Sequence, residues 1–305
     1  MGDQPHPASP IPPIQRRPTP RGDRPVSETV TRTPAPPLRT RQPSATQLGL
    51  SRAAIETRMF FREKDAVIFT FSFPIVLLVI FGSIFAGDLE GTGLTVSQLY
   101  VASLIGSAAM TGFQNLGINI AGDRDDGTLK RLRGTPLPPG SYFVGKALNT
   151  LFISFLQVVI LLAIGVTMFG LELPSEAGRW VTFAWVFVLG VLGSSLLGIA
   201  VSSLPRSAKS ASAVISMPFV VLQFISGVFI PISELPSWLV NIASVFPLKW
   251  MCQGFRSVFL GDAGATLEIA KSYELDRVAL VLGAWVIGGL VLCLMTFRWK
   301  SRRDG

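Results

Sequence analysis

The chain has 305 residues, a mean hydropathy of +0.48, 15% charged residues and a formal net charge of +8. A soluble domain averages about 25% charge, and much of the charge here lies before residue 65. What remains excludes a soluble helical fold and holds several runs near the ~20 residues that cross a bilayer. The two cysteines, Cys252 and Cys293, fall in different segments and support no disulfide framework, and the one histidine, His6, excludes a histidine-based metal or acid–base site.

In chain order, residues 1–45 are rich in Pro, Arg, Ser and Thr and read as a disordered cytoplasmic tail, since they hold too little apolar surface to offset ordering. No apolar core follows their basic residues, so they are not expected to be a signal peptide. Residues 46–65 place Leu48, Ile55 and Met59 at helical spacing, with Arg52, Glu56, Arg62 and Glu63 elsewhere around the helix. That pattern predicts an amphipathic helix lying in the membrane interface. Six spans are predicted at about 66–86, 98–121, 143–169, 180–203, 210–230 and 278–297, with Pro74 and Pro218 inside the first and fifth. In the fourth span, Gly190, Gly193, Ser194, Ser195 and Gly198 allow close helix packing. Between the fifth and sixth, residues 231–262 hold two short apolar segments, 237–246 and 248–260, divided by Pro247. Each is too short to cross, which favours a re-entrant hairpin over an ordinary loop anchored by Trp238 and Trp250. A basic tail, 298–305, closes the chain. The fold class is all-α, polytopic, with six transmembrane helices.

Lys and Arg give the orientation. Of 27, 22 fall on the side that holds both termini, the 122–146 block and the 204–209 loop. Positive-inside places that side, termini included, in the cytoplasm.

The stretch "AGDRDDGTLKRLRGTPLPPGSYFVGKAL", residues 121–148, sets acids before bases between two apolar runs. Its Gly140…Gly145-Lys146 spacing imitates a P-loop, but Ala147 stands where a hydroxyl would be needed and no strand precedes it. ATP binding here is rejected, and Lys146 reads as a basic residue that snorkels to the interface. Residues 123–133 have the charge order of a short helix, with Asp123, Asp125 and Asp126 at its positive end and Lys130, Arg131 and Arg133 at its negative end. Leu129 and Leu132 share one face. Spacing alone leaves open a docking helix or a solvated loop with topogenic charge.

The same stretch resembles the cytoplasmic signature of type-2 ATP-binding-cassette exporter permeases, drug- and lipid-export branch, in which "ER-x-x-G-T-L-x-x-L-x-x-T-P" forms a coupling helix between the second and third spans. Here the pattern runs from Asp123 to Pro136, with Asp123 in place of the usual Glu. The resemblance covers residues 46–300, including the interfacial helix and the hairpin region. It implies a permease half that pairs with a second permease, identical or homologous. It also implies two copies of a separate ATPase carrying the ATP and Mg, no cofactor on this chain, and the bacterial plasma membrane as its place. Under it, Asp123, Arg124, Asp126, Gly127, Leu129, Arg131 and Leu132 would couple to the ATPase. Leu129 and Leu132 would form the ridge that enters a groove, Arg131 would pair with acids on the ATPase, and Gly127 would permit close approach.

No convincing ionisable residue lies within the six spans, whereas proton- and ion-coupled carriers normally need one. The polar residues Gln114, Asn115, Asn119 and Gln223, with Phe219, Phe224 and Phe229, are candidates to line a pathway for a lipophilic drug, antibiotic or lipid. Interhelical hydrogen bonds and lipid packing are the plainer account of them. A secondary carrier and a membrane enzyme are the competing classes. The Asp123, Asp125 and Asp126 group could imitate a metal site, but helix capping explains the acids without one. No nucleic acid is expected as a partner.

Overall fold

The computed structural model describes residues 44–85, 87–135 and 138–296. Residues 1–43 and 297–305, with most of the N-terminal tail and the whole C-terminal one, lie outside them. The first helix, α1 (Ala45–Arg62), starts inside the region read as tail: Ser44 and Gln47 cap one another's backbone in a reciprocal box. Glu63 breaks the helix, and α2 (Lys64–Ile84) follows. A two-residue hairpin, β1 (Asp88–Leu89) with β2 (Leu94–Thr95), turns through Gly91 and Gly93 at φ 74° and 67° and leads into α3 (Val96–Asp125).

A short α4 (Thr128–Arg133) precedes α5 (Pro139–Phe169), α6 (Ala177–Val201) and α7 (Ala208–Ile225). After a 3₁₀ turn at Ile232–Glu234 come α8 (Ser237–Val245), α9 (Pro247–Phe259), α10 (Gly261–Ala265) and α11 (Leu275–Thr296). The fold is all-α, and α2, α3, α5, α6, α7 and α11 are the six helices long and apolar enough to cross a membrane.

The helix α3 is the hub. It is 83% buried over its apolar window, against 17% for α2 and 22% for α11, and it packs on α2, α5, α6, α7 and α9. Small residues make this possible. A Cβ at Gly106 would stand 2.9 Å from the backbone of Cys252 on α9, and one at Gly112 would stand 2.2 Å from Thr150 on α5. The small stripe of α6 works from the other side: a Cβ at Gly198 would meet the Phe113 carbonyl at 2.6 Å, and one at Gly190 would meet Met251 at 2.5 Å. The two halves of the 231–262 region are α8 and α9, with Pro247 as the first residue of α9. α9 packs among α3, α6 and α11 and is buried on nearly every side, which makes it a core helix.

Pro74 has no N–H, so it frees the Thr70 carbonyl one turn earlier in α2. Gln157 Nε2 of α5 donates to that carbonyl at 2.9 Å, and Gln157 Oε1 accepts from Thr111 Oγ1 of α3 at 3.1 Å. One side chain thereby repairs the proline defect and joins three helices.

Candidate functional site

The block at 121–148 is not one helix. α3 runs on through Asp125, and Gly127 takes a left-handed φ of 78° that starts α4 on a new course. The expected helix 123–133 is therefore two pieces, because the Asp-Gly turn interrupts it. Nothing in the chain lies within 4 Å of a Cβ at Gly127, so within the chain this glycine serves the turn. The acids sit in the last turn of a long helix, where the helix dipole opposes them, and each finds a separate partner. Asp125 Oδ2 accepts from the Ala208 N–H at 3.1 Å, at the positive end of α7. Asp126 Oδ1 accepts from the Thr128 N–H at 2.8 Å, and hydrogen bonding to Thr128 is the main reason its carboxyl stays below its usual pKa. Asp123 Oδ2 accepts from the Tyr142 hydroxyl at 2.6 Å and lies 2.9 Å from Lys146 Nζ. The three acids thus turn to three different places and form no common ligand set. Arg124 donates to the Pro205 carbonyl at 2.8 Å, tying down the loop between α6 and α7.

Lys146 does not snorkel. It is 6% exposed, held between Asp123 and Glu56 Oε2, the latter at 3.0 Å. Glu56 also meets Arg52 one helical turn away at 2.5 Å, and Thr57 Oγ1 donates to Asn149 Oδ1 at 2.8 Å. The Arg52 and Lys146 cations stand 5.5 and 5.6 Å from the centroid of the buried Tyr142 ring. Two cations and two carboxylates, among them the buried Glu56 and Lys146, therefore bind α1, the end of α3 and the start of α5 into one junction. Such a balanced cluster holds only while every member is present, because a lone buried charge is costly. Gly145 belongs to this contact: it lies within helical α5, and a Cβ there would meet Arg52 Cγ at 2.5 Å.

Two expectations change. The amphipathic helix turns its polar residues Arg52, Glu56 and Thr57 toward the bundle and leaves Ile55 and Met59 about half exposed on the outside. The Leu129–Leu132 ridge faces inward as well. Leu129 is 1% exposed among Leu116, Ile120, Tyr142 and Ile199, with Leu132 at the edge of that cluster. Lys130 and Arg131 are exposed on α4, and Arg131 reaches Thr128 Oγ1 at 3.2 Å.

The candidate pathway residues do not meet in one place. Gln114 donates to Ser216 Oγ at 2.8 Å, and Gln223 Oε1 accepts from Ser107 Oγ at 2.9 Å, so both join α3 to α7. Phe219 is buried against Phe113, while Phe224 is exposed and contacts the buried Phe229. Asn115 and Asn119 face the other way, into a cleft of about 140 Å³ between α1, α2, α3 and α5 that Glu56 and Lys146 also line.

At the opposite end of the bundle lies a buried pair that the sequence reading missed. Arg256 of α9 holds Glu268 through Nε–Oε1 at 2.6 Å and a second bond at 3.1 Å, and reaches Ser103 Oγ at 3.2 Å. The clue available was spacing: Lys249, Gln253 and Arg256 recur at i, i+4 and i+7 on one face of an otherwise apolar helix. The Arg52–Glu56 pair, also i and i+4, carried the same kind of signal.

Six helices long and apolar enough to span a bilayer, one of them a small-residue hub, with a charged junction at one end, define a multi-pass membrane protein. The chain belongs to the ABC-2 type transporter family, whose model matches residues 52–260. It is 27% identical over 167 residues to the probable multidrug ABC transporter permease YbhR of Escherichia coli, which covers 55% of this chain and 45% of that one, so the match spans about half of that relative. It is 27% identical over 231 residues to the putative transport permease ycf38 of Cyanophora paradoxa, covering 73% and 77% of the two chains. The inner membrane transport permease YadH of E. coli is 25% identical over 199 residues, covering 62% and 74%.

Proposed function

We propose that the chain is the membrane permease subunit of an ATP-driven exporter in the bacterial plasma membrane, moving a lipophilic or amphipathic compound outward. In this reading it pairs with a second permease, and ATP and Mg are bound by a separate ATPase, two copies of which dock from the cytoplasm. The docking surface is the outer face of α4, with Lys130 and Arg131, together with the exposed Asp125 and Asp126. The buried junction supports this reading most. Motion imposed on α4 and the end of α3 meets Asp123, and the Asp123–Lys146–Glu56 chain connects it at once to α5 and α1. Rigid-body transitions pass through such coupled elements. Leu129 serves as the internal anchor of α4 rather than as the ridge that enters the ATPase.

The test is co-purification. Gentle detergent extraction of the native chain should retain an ABC ATPase. Lys130→Glu with Arg131→Glu should lower the retained ATPase at least tenfold while the unfolding temperature stays unchanged. A native chain that retains no ATPase, in cells expressing its candidates, overturns the reading.

A further inference from the structure

At the end of the bundle opposite the 121–148 block, a cavity of about 400 Å³ opens between α8, α9, residues 268–274 and the start of α11. That volume lies within the range of small-ligand sites. The polar stripe of α9 faces it, and two of its three members are satisfied. Arg256 takes Glu268 through two bonds, and Gln253 Nε2 donates to the Tyr273 carbonyl at 2.8 Å.

The third, Lys249, is different. It is 7% exposed, and among the described residues its ammonium has no carboxylate or hydrogen-bond acceptor. Its contact is the face of Trp250, 3.5 Å from the ring centroid. The two carboxylates at the cavity are both committed, Glu268 to Arg256 and Glu274 to Arg277. The cavity therefore carries one uncompensated positive charge. Its other walls are Asn241 and Ser244 on one side and the apolar Ile232, Val240 and Ile269 on the other. Burying most of a cation costs stability, and the ammonium keeps its access to the cavity, where an anion can compensate it.

We propose that this cavity is a binding site for a single oxyanion, a carboxylate or phosphate group, with Lys249 as its counter-ion, Asn241 as a hydrogen-bond donor and the Ile232–Val240–Ile269 wall beside it. The site is independent of what the bundle transports. An oxyanion of this kind can be the head of an amphiphile or free in solution, and the apolar wall favours the amphiphile. Burial pulls the Lys249 amine below the ordinary lysine pKa, against the opposing pull of Glu268 and Glu274, so the amine should react readily with acylating reagents when the cavity is empty.

The experiment is lysine acylation of the purified full chain in neutral detergent, read by mass spectrometry, with the exposed Lys271 as internal reference. Three probes are compared: inorganic phosphate, decanoate, and nanodiscs of phosphatidylglycerol against phosphatidylcholine. Protection of Lys249 at least fivefold relative to Lys271 by decanoate or phosphatidylglycerol alone identifies an amphiphile head. Protection by inorganic phosphate as well identifies a free anion. No protection by any of them overturns the proposal. Thermal unfolding gives a second measurement should Lys249 resist acylation throughout. The same anions should raise the unfolding temperature of the native chain and of Lys249→Arg but not of Lys249→Gln. Without anion, Lys249→Gln should unfold no earlier than the native chain. An anion-free Lys249→Gln that is clearly less stable makes the lysine structural and sinks the site.

Discussion

Lys146 is the residue on which the charged junction turns, since it touches both carboxylates, at 2.9 and 3.0 Å. Lys146→Met keeps the length of the stem and removes the charge, leaving Glu56 with Arg52 and Asp123 with Tyr142. Breaking a buried ion pair from one side costs about 3 kcal/mol, so the variant should unfold several degrees earlier in a thermal scan. Glu56→Gln should cost less, because Gln still accepts from Lys146. The double variant should cost less than the sum of the two, the mark of residues in one network. Strict additivity would mean that the junction is not coupled. Sequence placed every member of this cluster without joining them. The sequence sets Arg52 and Glu56 apart from the apolar residues of an interfacial helix and Lys146 at the interface, because periodicity fixes which residues share a face and not which way that face turns. The apolar Ile55 and Met59 point away from the bundle and stay about half exposed.

At the scale of elements, the spans were legible because length and hydropathy are enough for a helix that must satisfy its own backbone. The role of α3 was not, since the central helix has the lowest mean hydropathy of the six, 1.2 against 2.5 for α2. Its glycines, alanines and serines lower that value, and those residues are what let five neighbours approach. Gly106 gives the sharpest test. A Cβ there meets the Cys252 N and Cα at 2.9 Å, backbone that cannot swing aside, whereas nothing lies within 4 Å of a Cβ at Gly283. Gly106→Val should cost about 2 kcal/mol by overpacking and should expose Cys252, read as faster thiol labelling, while Gly283→Val changes neither. Equal labelling in the two variants would mean that α3 and α9 are not clamped at this point. The break at Gly127 was harder to see. The acid-then-base order of residues 123–133 fits one short helix as well as the end of one helix and the start of another, and only the continuation of α3 decides between them.

For the whole molecule, the two ends of the bundle are built differently, and that difference is what the docking and anion proposals depend on. One end carries the junction, α4 and the loop held by Arg124 and Asp125; the other carries α8–α10, the Arg256–Glu268 pair and the Lys249 cavity. By positive-inside, the Lys and Arg distribution along the sequence predicts that the junction end is cytoplasmic. Single cysteines in a Cys252→Ala, Cys293→Ala background test it, at Thr135 beside α4 and at Trp238 on the exposed face of α8. A membrane-impermeant maleimide on intact cells should label position 238, and position 135 only after lysis. Labelling of 135 in intact cells would put α4 outside, where no ATPase can reach it, and the docking proposal would fall. The anion site would survive that result, because Lys249 and its cavity are defined by packing within the chain, and it would then face the cytoplasm and draw on cytoplasmic anions.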